Sequence, residues 1–203
     1  MSEKIFYENL DRLMKNGTNC DFTLIVDNKR LRVPKPILAA HSDYFAALFN
    51  GEWTESKNSE LPINDIKYDV MVKLIGFLYT PKIEITSIEV ALELFKAADK
   101  YQIPHVKLVA AKYIIENTTA LSNDIVINVF IEAEQRNSKE IMMVTLRHML
   151  KRDSELRDIT KLKNFDKLNV LQLTIVLRAF SLYHHHRNNS GALFNFKLED
   201  VLS

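Results

Sequence analysis

The sequence predicts an α+β fold, a short β-sheet capped by helices, followed by an α-helical extension. Three observations carry that prediction. Two short runs, Phe22 to Val26 and Arg30 to Val33, alternate their side chains across the polar turn Asp27-Asn28-Lys29. Period-two alternation on either side of a turn reads as a hairpin. From Pro36 to about Ile115, apolar residues recur mainly at helical spacing, broken by two further strand-like pieces. After about Asn117 the strand signals cease and only helical spacing continues.

The elements follow in order. Residues 2–15 read as a helix, with Ile5, Phe6, Leu10, Leu13 and Met14 on one face and Gly17 as its stop. So short a helix is marginal alone and must dock its stripe. Phe22, Leu24 and Val26 give the first strand its buried face, and Leu31 and Val33 mark the second. Pro34 closes that strand because it has no N–H for a ladder. Pro36 suits the first turn of a helix. Ser42 and Asp43 are cap residues for the next helical stretch, and Gly51 after Asn50 is its stop. Residues 51–58 are polar and loop-like. Leu61 and Ile63 mark a third short strand. Asp65 is expected to cap a helix striped by Tyr68, Met71, Ile75 and Leu78, which Thr80-Pro81 ends. Ile83 and Ile85 predict a further short strand. Thr86 and Glu89 have capping-box spacing before Val90, Leu94, Ala97, Ala98 and Tyr101. Pro104 opens a helix carrying Val106, Val109 and Tyr113, with Leu108 as a further candidate.

In the extension, Ser122 or Asn123 caps a helix with Ile125, Val129, Phe130 and Ala133. Ser138 starts another with Ile141, Met142, Thr145, Leu146 and Met149. Lys151 to Lys163 reads as a charged connection with one short helix. Leu168 to Leu182 is helical on the stripe Leu168, Leu171, Ile175, Leu177 and Phe180. A polar break from His184 to Ser190 precedes an apolar tail with Leu193, Phe194, Phe196, Leu198 and Leu202. The domains expected are 1–117 and 118–203.

At 203 residues the chain can bury a full core in one or two domains. Lys and Arg total 27 against 26 Asp and Glu, a net charge of +1. With no basic excess to release counterions, nucleic acid is not an expected partner. No apolar run approaches the roughly 20 residues of a membrane span, and no charged-then-apolar leader opens the chain. The single cysteine, Cys20, fits a reducing compartment. An intracellular protein of the cytoplasm or nucleus is expected, with no membrane partner.

Each candidate for chemistry has a plainer reading. Cys20, with Asp21 and His41 in the same opening region, could serve as a nucleophile; just before a core strand, a small buried thiol is the ordinary reading. His184-His185-His186 could hold a metal. Neighbouring helical histidines point apart, however, and a solvated helix end beside Arg187 is the better reading. His41, His105 and His148 stand alone. Lys151, Arg152, Arg157, Lys161, Lys163 and Lys167 interleave with Asp153, Glu155, Asp158 and Asp166, as on a solvated face. No phosphate loop, Cys-x-x-Cys pair, zinc-protease helix or triad signature is present. No catalytic residue, metal site or cofactor is expected, and the chain is expected not to be an enzyme.

Several motifs together carry a family resemblance. Asn19-Cys-Asp-Phe-Thr-Leu-Ile-Val and Pro36-Ile-Leu-Ala-Ala-His-Ser-Asp-Tyr-Phe-Ala-Ala-Leu-Phe49 resemble the opening of the BTB/POZ domain, a protein-interaction module. Phe77-Leu78-Tyr79-Thr80 resembles its "hydrophobic-Tyr-Thr" helix end. Ala97-Ala98-Asp99-Lys100-Tyr101, with Ile103, resembles its penultimate-helix signature. The resemblance runs from Asn19 to about Ile115 and implies the BTB/POZ fold. Where the family usually has Ala-His-Lys, this chain has Val33-Pro34-Lys35, which alters a shallow pocket that some members use. The Asp and Lys of that pocket are kept as Asp21 and Lys35.

The resemblance also implies a function. Speckle-type (MATH-BTB-like) members bind the cullin numbered three and recruit substrates to a ubiquitin ligase. They carry a hydrophobic-x-Glu loop, which Trp53 and Glu55 match here. Trp53 is thus a candidate cullin anchor; folding back onto its own core is the alternative. Helices at 122–135 and 139–152 are similar to the three-box or BACK-like helices that such adaptors append. The N-terminal helix resembles the family's dimerisation helix, so Ile5, Phe6, Leu10, Leu13 and Met14 are expected at a homodimer seam rather than docked on the chain's own sheet. The partners implied are a second copy, the cullin and a protein substrate that the sequence does not identify. The alternative is a BTB homodimer scaffold outside ubiquitination, such as a transcriptional co-regulator or cytoskeletal linker. No MATH or kelch-like segment is present, and the residues after Leu162 are too few for a separate recognition domain.

Overall fold

The computed structural model of the chain describes residues 20–51, 59–79, 84–156, 159–190 and 201. Ile5, Phe6, Leu10, Leu13, Met14, Trp53, Glu55, Ile83, the side chain of His186 and the tail residues Leu193, Phe194, Phe196, Leu198 and Leu202 lie outside the described residues. The chain divides into two compact units, Met1–Ala111 and Lys112–Ser203.

The first unit is α+β. Strands β1 (Phe22–Val26), β2 (Lys29–Val33) and β3 (Glu60–Ile63) form a sheet in the order β2-β1-β3. β2 runs antiparallel to β1 and β3 runs parallel to it. Asp27 and Asn28 form the hairpin loop with φ of 48° and 60°. Two successive left-handed residues suit the twist of a two-residue hairpin, and Asp and Asn accept that conformation at low cost. Phe22, Leu24 and Val26 are at most 1% exposed, so the alternation places this face in the core as the sequence predicts.

Helices α1 (Lys35–His41), α2 (Asp43–Asn50), α3 (Tyr68–Tyr79) and α4 (Ile88–Lys100) complete the unit, and helix α5 (Pro104–Glu116) runs across the division at Ala111. Ser42 caps α2 as expected, accepting the N–H of Phe45 at 3.0 Å. Its own hydroxyl donates to the Tyr101 carbonyl at 2.6 Å, tying the start of α2 to the end of α4. That end is a Schellman turn. Gln102 is left-handed at φ 50°, and the N–H of Ile103 reaches the Ala98 carbonyl at 2.8 Å.

Four local expectations change. The N–H of Tyr68 at the start of α3 is taken by Asp27, not by Asp65, which bonds Lys100 at 2.8 Å. The cap of α4 is Ser87, whose hydroxyl accepts from Val90; the Thr86–Glu89 spacing is one residue early. Residues 84–86 form no strand, and Ile85 is only half-buried. On α5 the buried line is Val106, Ala110 and Ile114, while Leu108 is 68% exposed. Alanine supplies the inward step that a search for large apolar residues passes over.

The second unit is helical: α6 (Val126–Gln135), α7 (Lys139–Leu156) and α8 (Val170–Ser190), with short 3-10 turns between. Val129, Phe130 and Ala133 are buried on α6, as are Ile141, Met142, Thr145, Leu146 and Met149 on α7. Ile125 is also buried but is the N-cap residue of α6, with no side-chain cap bond, so the cap expected of Ser122 or Asn123 is not formed there. The buried Thr145 hydroxyl is satisfied by the carbonyls of Ile141 and Met142. α7 outruns its expected end by several residues. α8 likewise continues through His184 to Ser190, where the polar composition predicts a break. The inward face of α8 also differs from the predicted stripe. Leu171 and Leu177 are exposed, whereas Gln172 is 1% exposed beside Ile175, Val176, Ala179 and Phe180.

Candidate partner-binding site

The structure brings Asp21 and Lys35 together at one end of the sheet. Asp21 stands just before β1 and Lys35 opens α1. The backbone N–H of Lys35 donates to Asp21 Oδ1 at 2.8 Å. The N-cap residue of α1 is Pro34, whose side chain makes no cap bond, so a carboxylate from another element fills that role. The Lys35 ammonium lies 5.5 Å from the Phe22 ring centre and 5.6 Å from that of Phe49, within cation–π range.

Those rings begin an aromatic chain through the unit. Phe22 meets Phe49 edge-on at 4.9 Å, and Phe49 stacks on Phe45 at 6.0 Å. Phe45 stacks on Tyr101 at 5.6 Å, and Tyr44 meets Tyr101 edge-on. Burial pushes the Tyr101 phenol pKa up, and Asp65, which accepts its O–H at 3.4 Å, pushes it further. The Ala97-Ala98-Asp99-Lys100-Tyr101 motif therefore has a divided role. Its alanines and Tyr101 are buried, while Asp99 pairs with Lys107 and Lys100 with Asp65 outside.

Cys20 adjoins this corner and is buried. Arg32 donates to its carbonyl at 2.8 Å. Burial raises the thiol pKa, Arg32 opposes that and Asp21 adds to it. A thiol held protonated in the core, with His41 exposed, matches the plain reading of Cys20. The Tyr79 phenol is also buried and has no hydrogen-bond partner among the described residues. Burial first, and Cys20 second, push its pKa up to about 12.

The predicted cullin loop is framed by described residues on both sides. Gly51 ends α2 with its N–H on the Ala47 carbonyl at 3.0 Å. Ser59, left-handed at φ 54°, gives its carbonyl to the Thr23 N–H at 2.9 Å. The segment containing Trp53 and Glu55 thus lies in sequence between the end of the aromatic helix α2 and Ser59 beside β1. Among the described residues no three His, Cys, Asp or Glu side chains gather as a metal site. None of the described helices is long and apolar enough to cross a membrane. The aromatic chain and the Asp27 cap escaped sequence reading; the turn position of Asp27 and the Tyr44-Phe45 pair were the only local signals.

A three-stranded mixed sheet with helices, followed in sequence by a helical unit, is an α+β architecture. The BTB/POZ domain family model matches residues 10–118, and the chain belongs to that family. Protein maternal effect lethal 26 of Caenorhabditis elegans is 35% identical over 117 residues, which cover 57% of this chain and 30% of that protein. Human Kelch-like protein 7 is 32% identical over 123 residues, 61% of this chain and 21% of that one. The solved BTB domain of zebrafish PATZ1 is 29% identical and covers 56% of this chain and 93% of its own, with a TM-score of 0.48. The chain thus spans less than a third of the length of these two curated relatives.

Proposed function

We infer that this chain is a homodimeric BTB adaptor that brings protein substrates to a ubiquitin ligase built on the cullin numbered three. The observation that carries the reading is the sequence Trp53-Thr54-Glu55 between α2 and β3 of a BTB/POZ domain. A large apolar side chain in a loop suits a groove on a partner, and a nearby carboxylate can fix its register. The helical unit after the domain supports it, since the resembling adaptors carry appended helices there. The chain itself performs no catalysis in this account: it supplies proximity, and the chemistry belongs to the partner enzymes. Asp21 and Lys35 form the rim of the shallow pocket, and the protein works inside the cell.

Light scattering after size exclusion, with and without the cullin N-terminal domain, tests this reading. A dimer that gains mass when the cullin domain is added is expected. A dimer that never does so would turn the assignment to the scaffold outside ubiquitination.

A further inference from the structure

Among the described residues β2 is an edge of the sheet, and the register fixes which groups it presents. A two-residue loop makes Val26 and Lys29 a hydrogen-bonded pair. Alternation then makes Leu24–Leu31 and Phe22–Val33 bonded pairs, so the N–H and C=O groups of Arg30 and Arg32 point away from β1. The far side of β1 agrees: Thr23, opposite Arg32, turns its N–H toward Ser59 and β3. Among the described residues nothing bonds the outward main-chain groups of Arg30 and Arg32.

The side chains make this edge basic. Lys29, Arg30 and Arg32 are all exposed. Arg30 and Arg32 share the outer face with Thr23 and Ile25, while Leu31 turns to the inner face and is half-buried. Arg30 reaches across β1 to Glu60, and Arg32 donates to the Cys20 carbonyl. A guanidinium has five N–H donors, so both keep donors and charge at the edge. Charged edges commonly prevent unwanted pairing. A second β2 laid against this one would set arginine near arginine, which opposes self-pairing. The same arrangement favours a strand of opposite charge.

We propose that β2 is a docking edge for an extended acidic segment of a partner protein. Main-chain groups of that segment bond Arg30 and Arg32. Its carboxylates, two positions apart, face the two guanidinium groups, and the apolar residue between them faces Leu31. This is strand addition, with backbone bonds supplying affinity and alternate side chains supplying selection. It uses none of the cullin loop, so either reading stands if the other fails.

The test uses the full chain and two capped peptides: one alternating valine and glutamate, the other with lysine replacing glutamate. Amide exchange is followed residue by residue. The glutamate peptide should slow exchange at Arg30 and Arg32 while leaving Leu31, already bonded to β1, unchanged. The double variant Arg30→Glu/Arg32→Glu should lose about tenfold in affinity and prefer the lysine peptide. Arg30→Gln/Arg32→Gln, with a melting curve, gives the loss without charge reversal. No binding of the glutamate peptide at about 1 mM, equal binding of both peptides, or binding without protection of Arg30 and Arg32 would overturn the proposal. So would protection of these amides by self-association alone.

Discussion

Asp27 Oδ2 accepts the backbone N–H of Tyr68 at 2.8 Å across 41 positions of sequence. The residue that turns the β1–β2 hairpin thereby caps α3. At the other end of β1, Asp21 does the same for α1 through the Lys35 N–H. Two carboxylates flanking one strand thus anchor two helix N-termini, where orphan N–H groups and the helix dipole both favour negative charge. The Lys29 ammonium, 4.7 Å from the Tyr68 ring centre, adds to the contact at α3.

Asp27→Ala removes that cap and puts alanine at φ 48°. Loss of a cap costs about 1 kcal/mol, and a left-handed alanine a similar amount, so a loss of about 2 kcal/mol is expected. Asp27→Asn, which keeps a carbonyl acceptor and tolerates the conformation, should recover most of it. Urea unfolding of the three proteins checks this; an alanine variant as stable as the parent would refute the cap.

The Tyr79 phenol gives stability an alkaline limit. Its folded pKa, about 12, lies above the unfolded value of 10. The folded state therefore holds the proton longer. This contribution is complete below pH 10 and declines as pH rises from 10 toward 12, because the unfolded chain ionises first. Tyr79→Phe removes both the ionisation and a buried hydroxyl without a described partner. The variant should be no less stable at neutral pH and should lose less stability above pH 10. Denaturant midpoints across pH measure this, and an unchanged alkaline slope in the variant would contradict it.

Gln172 holds the start of α8 by three bonds. Its Oε1 accepts the Asn169 N–H at 3.0 Å, and Asn169 Oδ1 accepts the Gln172 N–H at 2.8 Å, a reciprocal cap. Its Nε2 donates to Glu134 Oε2 on α6 at 2.9 Å. Gln172→Ala should destabilise by about 2 kcal/mol or more. Gln172→Glu keeps the cap but sets a carboxylate against Glu134, so it too should melt lower than the parent. A glutamate variant with parental melting behaviour would show that the Glu134 bond contributes nothing.

Deleting residues 1–16 removes the stripe Ile5, Phe6, Leu10, Leu13 and Met14. If that stripe forms the seam between two copies, the truncated chain should run as monomer or aggregate through the exposed apolar patch. Light scattering decides, and a well-behaved truncated dimer would sink the seam.

What the sequence disclosed was local. The β1 alternation, the turn at Asp27-Asn28 and the Ser42 cap each rest on neighbours within a few residues. Nearness in sequence points to Asp65 as the α3 cap, whereas the hairpin delivers Asp27 from 41 positions away. Size and apolarity point to Leu171 and Leu177 as core residues, yet both are exposed. Gln172 is buried instead, since its amide finds partners on α6 and at its own helix start. The polar composition from His184 predicts a break, yet α8 continues to Ser190.

Calorimetry against the N-terminal domain of the cullin numbered three tests the central claim most directly. The parent chain, Trp53→Ala and Glu55→Ala are titrated, each with its own melting curve. Truncating a buried aromatic anchor commonly costs about 2–4 kcal/mol, so Trp53→Ala should bind roughly 30-fold more weakly or worse, with unchanged melting. Glu55→Ala should lose less if it sits at a wet rim. Equal binding by the parent and Trp53→Ala, or no binding by the parent, would contradict the account.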